Sequence, residues 1–300
     1  MEKNKNYVLI TAAKNEEKTI ERTIRSVDDQ SVLPLRWIIV DDGSTDRTSE
    51  ILKHYAKHLR YLNVISKRGE LKANFESQVR AINTGIEQLA GLKYDFIGNL
   101  DADITFDPDY YQKIIEKFSE DRNLGLAGGA IYEEQKGSFT PRNFNSENSV
   151  AHAVHFYLRE CFESVEGYIP LPYGGSDTVA ETTARMKGWK VKTFFEIPVR
   201  HHRMTCGVEG IVRGGYRQGK MDYTIGNTLF FELIKCISRW KVRPLLMYSA
   251  ARMLGFMSAN LKSEKKKLPD EFISYLRKEQ KLRIKQTFLF LSGTNNILTK

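Results

Sequence analysis

Apolar and polar positions alternate between two periods along the first 130 residues. Short, largely apolar runs at residues 7–13, 36–40, 61–66 and 94–100 predict strands of a parallel sheet covered on both faces. Between them, apolar positions recur at helical spacing: Ile20, Ile24 and Val27 in residues 17–30, Ile51, Leu52, Tyr55 and Leu59 in residues 47–59, and Phe75, Val79, Ile82, Ile86 and Leu89 in a third segment. Pro108 opens a further helix over 110–119, and residues 124–132 read as another strand. Strands alternating with helices in this way imply right-handed βαβ crossovers.

The repeat breaks at residues 133–149, a polar stretch with Gly137, Pro141 and several asparagines, read as a long loop. A helix over 150–163, a turn-rich segment ending in Gly174-Gly175, a helix over 178–187 and a strand over 189–195 follow. The last third is helical. Two of its segments, 228–237 and 244–261, are unusually apolar, and the helix predicted over 270–285 is charged on most of its circumference. The second apolar segment contains Arg252 and is marginal for spanning a bilayer. It reads as an interfacial helix, or else as a cover for the sheet or a subunit interface.

Charge sharpens this division. The net charge of +9 arises in the last third: residues 1–200 carry 27 Lys+Arg against 30 Asp+Glu, whereas residues 201–300 carry 19 against 7. No nucleic-acid module accompanies the basic residues, so no nucleic-acid partner is expected and the cytoplasmic-membrane surface is the candidate. Cys161, Cys206 and Cys236 show no metal or disulfide spacing, and the amino terminus carries no secretory pattern. A cytoplasmic protein, peripheral on the inner membrane face, is expected.

Carboxylates concentrate where two predicted strands end, at Val40-Asp41-Asp42-Gly43-Ser44-Thr45-Asp46 and Leu100-Asp101-Ala102-Asp103. Open parallel sheets bind ligands at that edge. If the strand continues past Leu100, Asp101 and Asp103 face one side and suit a hard divalent cation on diphosphate oxygens.

Together with Ile10-Thr11-Ala12-Ala13-Lys14-Asn15-Glu16-Glu17, these motifs resemble glycosyltransferase family 2 in residue type, order and spacing. The resemblance covers roughly residues 7–205. It implies an α/β GT-A fold: a mostly parallel central sheet flanked by helices, with a Rossmann-like nucleotide-binding half (1–132), an acceptor and catalytic half (133–205) and a helical extension (206–300). It also implies an inverting, metal-dependent transferase that moves a sugar, from a UDP-sugar by preference, to a hydroxyl on a glycan or lipid-linked acceptor in polysaccharide or glycolipid synthesis.

Carried over by motif, Thr11, Ala12 and Glu16 line the donor pocket, Asp41 and Asp42 bound it, and Asp42 reads the base edge. Asp101 and Ala102 meet the ribose or metal, Asp103 is the direct ligand to Mn²⁺ or Mg²⁺, and either His201 or His202 completes the metal site. Arg68, Lys72 and Arg203 are candidates for the diphosphate, and the glycine-rich residues 207–219, with Arg213 and Arg217, for a loop over the donor. Asp177 is the general base, a residue equally suited to capping the helix that follows, and Glu181 is held in reserve. A sugar nucleotidyltransferase and a catalytically silent membrane-associated scaffold of the same fold are the competing classes; the first lacks its glycine-rich phosphate cradle here.

Overall fold

The computed structural model describes residues 5–67, 75–135, 137–142, 145–203, 210–239 and 246–291. The chain forms two compact units, one of Met1–Pro172 with Ser176–Thr205, the other of Tyr173–Gly175 with Cys206–Lys300.

The first unit is built on one sheet. Its elements are β1 (Tyr7–Ala13), α1 (Ile20–Asp28), β2 (Arg36–Asp41), α2 (Thr48–Ala56), β3 (Leu62–Ser66), α3 (Phe75–Glu87), β4 (Phe96–Asn99), β5 (Ile104–Phe106), α4 (Tyr110–Glu120), β6 (Leu124–Gln135), β7 (Ser138–Pro141), β8 (Phe156–Leu158), α5 (Arg159–Val165), α6 (Ser176–Met186) and β9 (Lys190–His201). The strand order is β3-β2-β1-β4-β8-β6-β9-β5, with β7 on β6. The first four strands pair in parallel, as do β6 and β9. Strand β8 runs antiparallel between β4 and β6 and joins the two blocks. Helices on both faces bury the central strands, so Tyr7, Trp37, Phe96 and Phe156 are all enclosed. The Tyr7 and Tyr111 rings stack at 4.6 Å.

Three local expectations are corrected. The helix over 150–163 is instead a 3₁₀ turn at His152–Val154, strand β8 and the short α5, because Phe156-Tyr157-Leu158 is drawn into the gap between β4 and β6. The polar stretch from 133 is partly a hairpin, β6 pairing with β7 around Gly137 at φ 82°. The glycines of 207–219 do not form an open loop from residue 211 onward: they lie in helix α7 (Ile211–Thr224).

That helix belongs to the second unit, with α8 (Leu229–Ser238), α9 (Met247–Leu261) and α10 (Asp270–Leu291). Helices α7 and α9 cross with almost no side chain between them. A Cβ on Gly219 would lie 1.8 Å from the Arg252 carbonyl oxygen, and one on Gly255 1.9 Å from that of Tyr216. Beside this crossing lies a buried ionic cluster. Arg252 binds Asp222 through Nη2 and donates from Nε to Glu232 at 2.7 Å, while Lys235 donates to Asp222 at 2.7 Å. Helix α10, expected to be solvated on most sides, buries Phe272, Ile273, Leu276 and Gln280; the Gln280 amide donates to Asn227 Oδ1 at 2.6 Å. No helix among the described residues is long and apolar enough to cross a membrane.

Candidate active site

The carboxyl ends of β1, β2 and β4 lie side by side and carry the motif loops. The Asp42 N–H donates to the Ala13 carbonyl and that of Leu100 to Ile10. The first two loops are zipped to each other. Asn15, at φ 57°, accepts from the Thr45 N–H at 2.8 Å and its own N–H donates to Ser44 Oγ at 3.0 Å. The Glu16 N–H donates to Thr48 Oγ1 at 2.7 Å. Much of the polar signature in residues 14–17 and 44–48 thus holds the rim of the site together.

Within this rim the carboxylates have different environments. Asp41 is enclosed and accepts from the Ser44 N–H at 2.9 Å and from Ser49 Oγ, so it shapes the turn. Asp42 stands 3.8 Å from Lys14 Nζ. Thr11, expected to line the donor pocket, is instead fully buried because β1 is covered on both faces, and its hydroxyl accepts the Trp37 indole N–H at 2.9 Å. Ala12 is partly exposed beside it. Arg68 and Lys72 lie outside the described residues; Lys67, just before them, donates to Thr84 Oγ1 at 2.8 Å.

The strand does not continue through the Asp-Ala-Asp triplet. Strand β4 ends at Asn99, and residues 101–103 form a turn locked by the Thr23 hydroxyl on the Ala102 carbonyl at 3.0 Å. The two carboxylates therefore meet different partners. Asp103 Oδ2 lies 3.2 Å from His201 Nε2 and 3.1 Å from Arg203 Nε, and Arg203 reaches on to Glu16. His201 arrives here because the end of β9 pairs with β5 at Ile104. Burial lowers the His201 pKa, but the hydrogen bond and charge of Asp103 outweigh it and the net shift is upward. Glu16 is raised, by burial first, with the Arg203 charge opposing. His202 does not join this group: its Nε2 lies 2.8 Å from Thr105 Oγ1, its Nδ1 3.4 Å from Glu134, and burial lowers its pKa.

Asp101 faces His152, with Oδ1 3.7 Å from Nδ1. Burial would raise its pKa, yet the His152 charge beside it, helped by the more weakly acting His201, brings it below the usual range. His152 in turn is lowered by burial and raised more strongly by Asp101, with smaller contributions from Asp177 and Glu181. His152 was missed in the sequence, where it lies in an apolar run with nothing local to mark it.

Glu181 and Asp177 share helix α6 but differ in use. Glu181 is 4 % exposed; its Oε1 accepts from the Val150 N–H at 2.7 Å and from Ser149 Oγ at 3.2 Å, and lies 3.6 Å from His155 Nε2. His155 is itself tied to Tyr168 and Tyr157. Asp177, in the first turn and partly exposed, accepts from the Thr178 N–H at 2.7 Å.

Comparison with known proteins assigns this arrangement to a family. The glycosyl transferase family 2 model matches residues 8–170. The chain belongs to glycosyl transferase family 2. Curated relatives of this family 2 chain include poly-beta-1,6-N-acetyl-D-glucosamine synthases of Staphylococcus aureus, 33% identical over 120 residues, which is 40% of this chain and 27% of the relative. The one from Staphylococcus epidermidis is 33% identical over 122 residues, again 40% and 27%. The matched segment thus spans about a quarter of those relatives' length.

Among solved structures, the mannosyltransferase PcManGT of Pyrobaculum calidifontis, in complex with GDP-Man and Mn²⁺, aligns at a TM-score of 0.57 with 14% identity, covering 99% of this chain and 88% of that one. TarS residues 1–349 of S. aureus, in complex with UDP-GlcNAc, aligns at 0.56 with 13% identity, covering 90% and 79%. At that identity the likeness is one of fold, and this family 2 glycosyltransferase has the GT-A fold.

Proposed function

We propose that this glycosyltransferase is inverting and metal-dependent, and that it transfers a sugar from a UDP-sugar to a hydroxyl acceptor in the synthesis of a cell-surface polysaccharide or glycolipid. The observation that carries the proposal is the meeting of Asp103, His201 and Arg203 at the sheet's carboxyl edge, with His152 3.7 Å from Asp101. The names of the relatives, which make a polymer of N-acetylglucosamine, and the UDP-GlcNAc in one structural neighbour support the donor and product class.

The donor set fits a metal of limited protein ligation. Asp103 and His201 offer an oxygen and a nitrogen 3.2 Å apart, while no group of three or more potential ligands occurs among the described residues. Mg²⁺ and Mn²⁺ are commonly held by one or two side chains, with substrate phosphate oxygens and water completing the shell. Such an ion supplies neutralisation of the departing diphosphate. Arg203, whose side chain is 42% exposed at the Asp103 carboxylate, presents N–H groups suited to phosphate oxygens. Asp42 and Ala12 line the base side, and Asp101, oriented by His152, takes the ribose or metal. Asp177 accepts the proton of the acceptor hydroxyl as that oxygen attacks the anomeric carbon and the diphosphate leaves from the opposite face.

The test is a thermal-shift screen against UDP-, GDP-, CMP- and dTDP-sugars with and without Mn²⁺ or Mg²⁺. Donor at about 100 times its Kd stabilises by about 2.7 kcal/mol, about 5–10 °C for a unit of this size. Metal-dependent stabilisation by UDP-sugars is expected. No shift with any donor, or equal shifts without metal, would overturn the proposal.

A further inference from the structure

Helices of a water-soluble unit ordinarily turn apolar side chains inward and charges outward. The unit containing α7 to α10 reverses this on two of its helices. Asp222, Glu232 and Arg252 are enclosed. The exposed positions of α9 are Met247, Ala250, Leu254, Met257, Asn260 and Leu261; five of the six recur at spacings of 3 or 4 residues and form one apolar stripe along the helix. Leu261 is 80% exposed. Helix α8, joined to α9 through the Ser249 hydroxyl on the Cys236 carbonyl at 2.8 Å, exposes Leu229, Phe230, Leu233 and Ile237. No exposed position on either helix is charged.

Charge decides what covers this surface. Lys262 follows Leu261 directly, Lys265, Lys266 and Lys267 come next, and all four are exposed. Arg213 lines a shallow groove with Ile211, Val212 and Leu254. A second copy of the chain would bring a surface of the same sign against this basic rim. An anionic lipid surface satisfies both parts, since acyl chains take the apolar stripe and head groups take the lysines. With no helix long enough to span among the described residues, the segment lies in the interface. We propose that the outward faces of α8 and α9, with the lysines that follow α9, form a docking surface for an anionic bilayer. The proposal is independent of the reaction assigned above.

Flotation of the full chain at low salt, with vesicles of phosphatidylcholine alone or mixed with phosphatidylglycerol, tests it. Flotation is expected with the anionic vesicles. Leu254→Asp/Met257→Asp should lower the bound fraction at least tenfold. Lys265→Gln/Lys266→Gln/Lys267→Gln should weaken binding about a hundredfold, at about a factor of five per lysine. All five positions are exposed, and unchanged thermal melts would establish folding; if the aspartate pair unfolds, the lysine variant decides. The proposal is overturned if the intact chain fails to float, if the folded variants float as well as the parent, or if sedimentation reveals a dimer that Leu254→Asp/Met257→Asp dissociates while vesicles recruit nothing.

Discussion

Substitution of Glu181 separates support from chemistry in helix α6. The Glu181 carboxylate receives the buried Val150 N–H at 2.7 Å and the Ser149 hydroxyl at 3.2 Å, with Arg185 at 3.7 Å. Glu181→Ala strands that N–H, at about 1–3 kcal/mol, and leaves a void where the carboxylate stood, for a total of about 3 kcal/mol. A unit of this size loses about 2–4 °C of Tm per kcal/mol, so the melt should fall by about 6–12 °C. Glu181→Gln keeps an acceptor oxygen and gives up the charge-assisted part of the bonds, about 1 kcal/mol, or about 2–4 °C. Transfer, followed as release of nucleoside diphosphate at saturating donor, should then stay within a few-fold of the parent. Asp177→Asn should do the opposite, leaving the melt and donor affinity unchanged while transfer falls by at least about a hundredfold. A Glu181→Gln protein with an unaltered melt and a hundredfold loss of transfer would refute the assignment and make Glu181 the base.

Asp103→Asn should abolish the metal-dependent part of donor binding in calorimetry with little change in the melt; unchanged binding would remove Asp103 from the metal site. Gly219→Ala should destabilise α7 and α9 by about 1–2 kcal/mol or more, because overpacking against the Arg252 backbone outweighs the roughly 1 kcal/mol of helix propensity gained; hydrogen exchange of those helices reads it, and a gain in protection would refute the close crossing. Burial and the charge of Asp222, opposed by Arg252 and Lys235, push Glu232 up to about 7. Its folded pKa lies above the ordinary value of 4.5, so its contribution to stability is complete below about pH 4.5 and is lost as pH rises through about 7. Asp222 is lowered, and its contribution fades only in stronger acid. Denaturant melts should therefore show Glu232→Gln gaining on the parent between about pH 5 and 7.5; a constant difference would refute the shift.

Much of the first four strands was legible because parallel strands covered on both faces read as apolar runs, and β1 falls at Tyr7–Ala13 as the pattern predicts. The same double coverage hid the fate of Thr11, since no periodicity tells which polar residue in a buried strand has an indole above it. Strand β8 was unreadable for a different reason. Its three residues are extended only because β4 and β6 flank them, and a pairing across 30 to 60 residues leaves no mark on local spacing. His152 was lost with it. The Asp-Ala-Asp triplet was placed correctly after a strand, but its turn is imposed by Thr23 from α1, so the separate directions of Asp101 and Asp103 required the fold. At residues 201 and 202 the sequence presents two equal histidines; the pairing of β9 with β5 distinguishes them.

The bare contact between α7 and α9 also constrains how this protein can change. Most interior contacts join two side chains, and when one grows the other can shrink, so a lineage can wander through many equivalent pairs. At Gly219 and Gly255 the opposing surface is a carbonyl oxygen, which no substitution can trim. A side chain at either position has no compensating partner short of moving a whole helix, and with it the ion pairs that Arg252 carries. The two glycines are thus fixed points around which the outward-facing residues of the same helices remain free to diversify, and a library randomised across this unit should return its tolerated sequences with positions 219 and 255 unaltered.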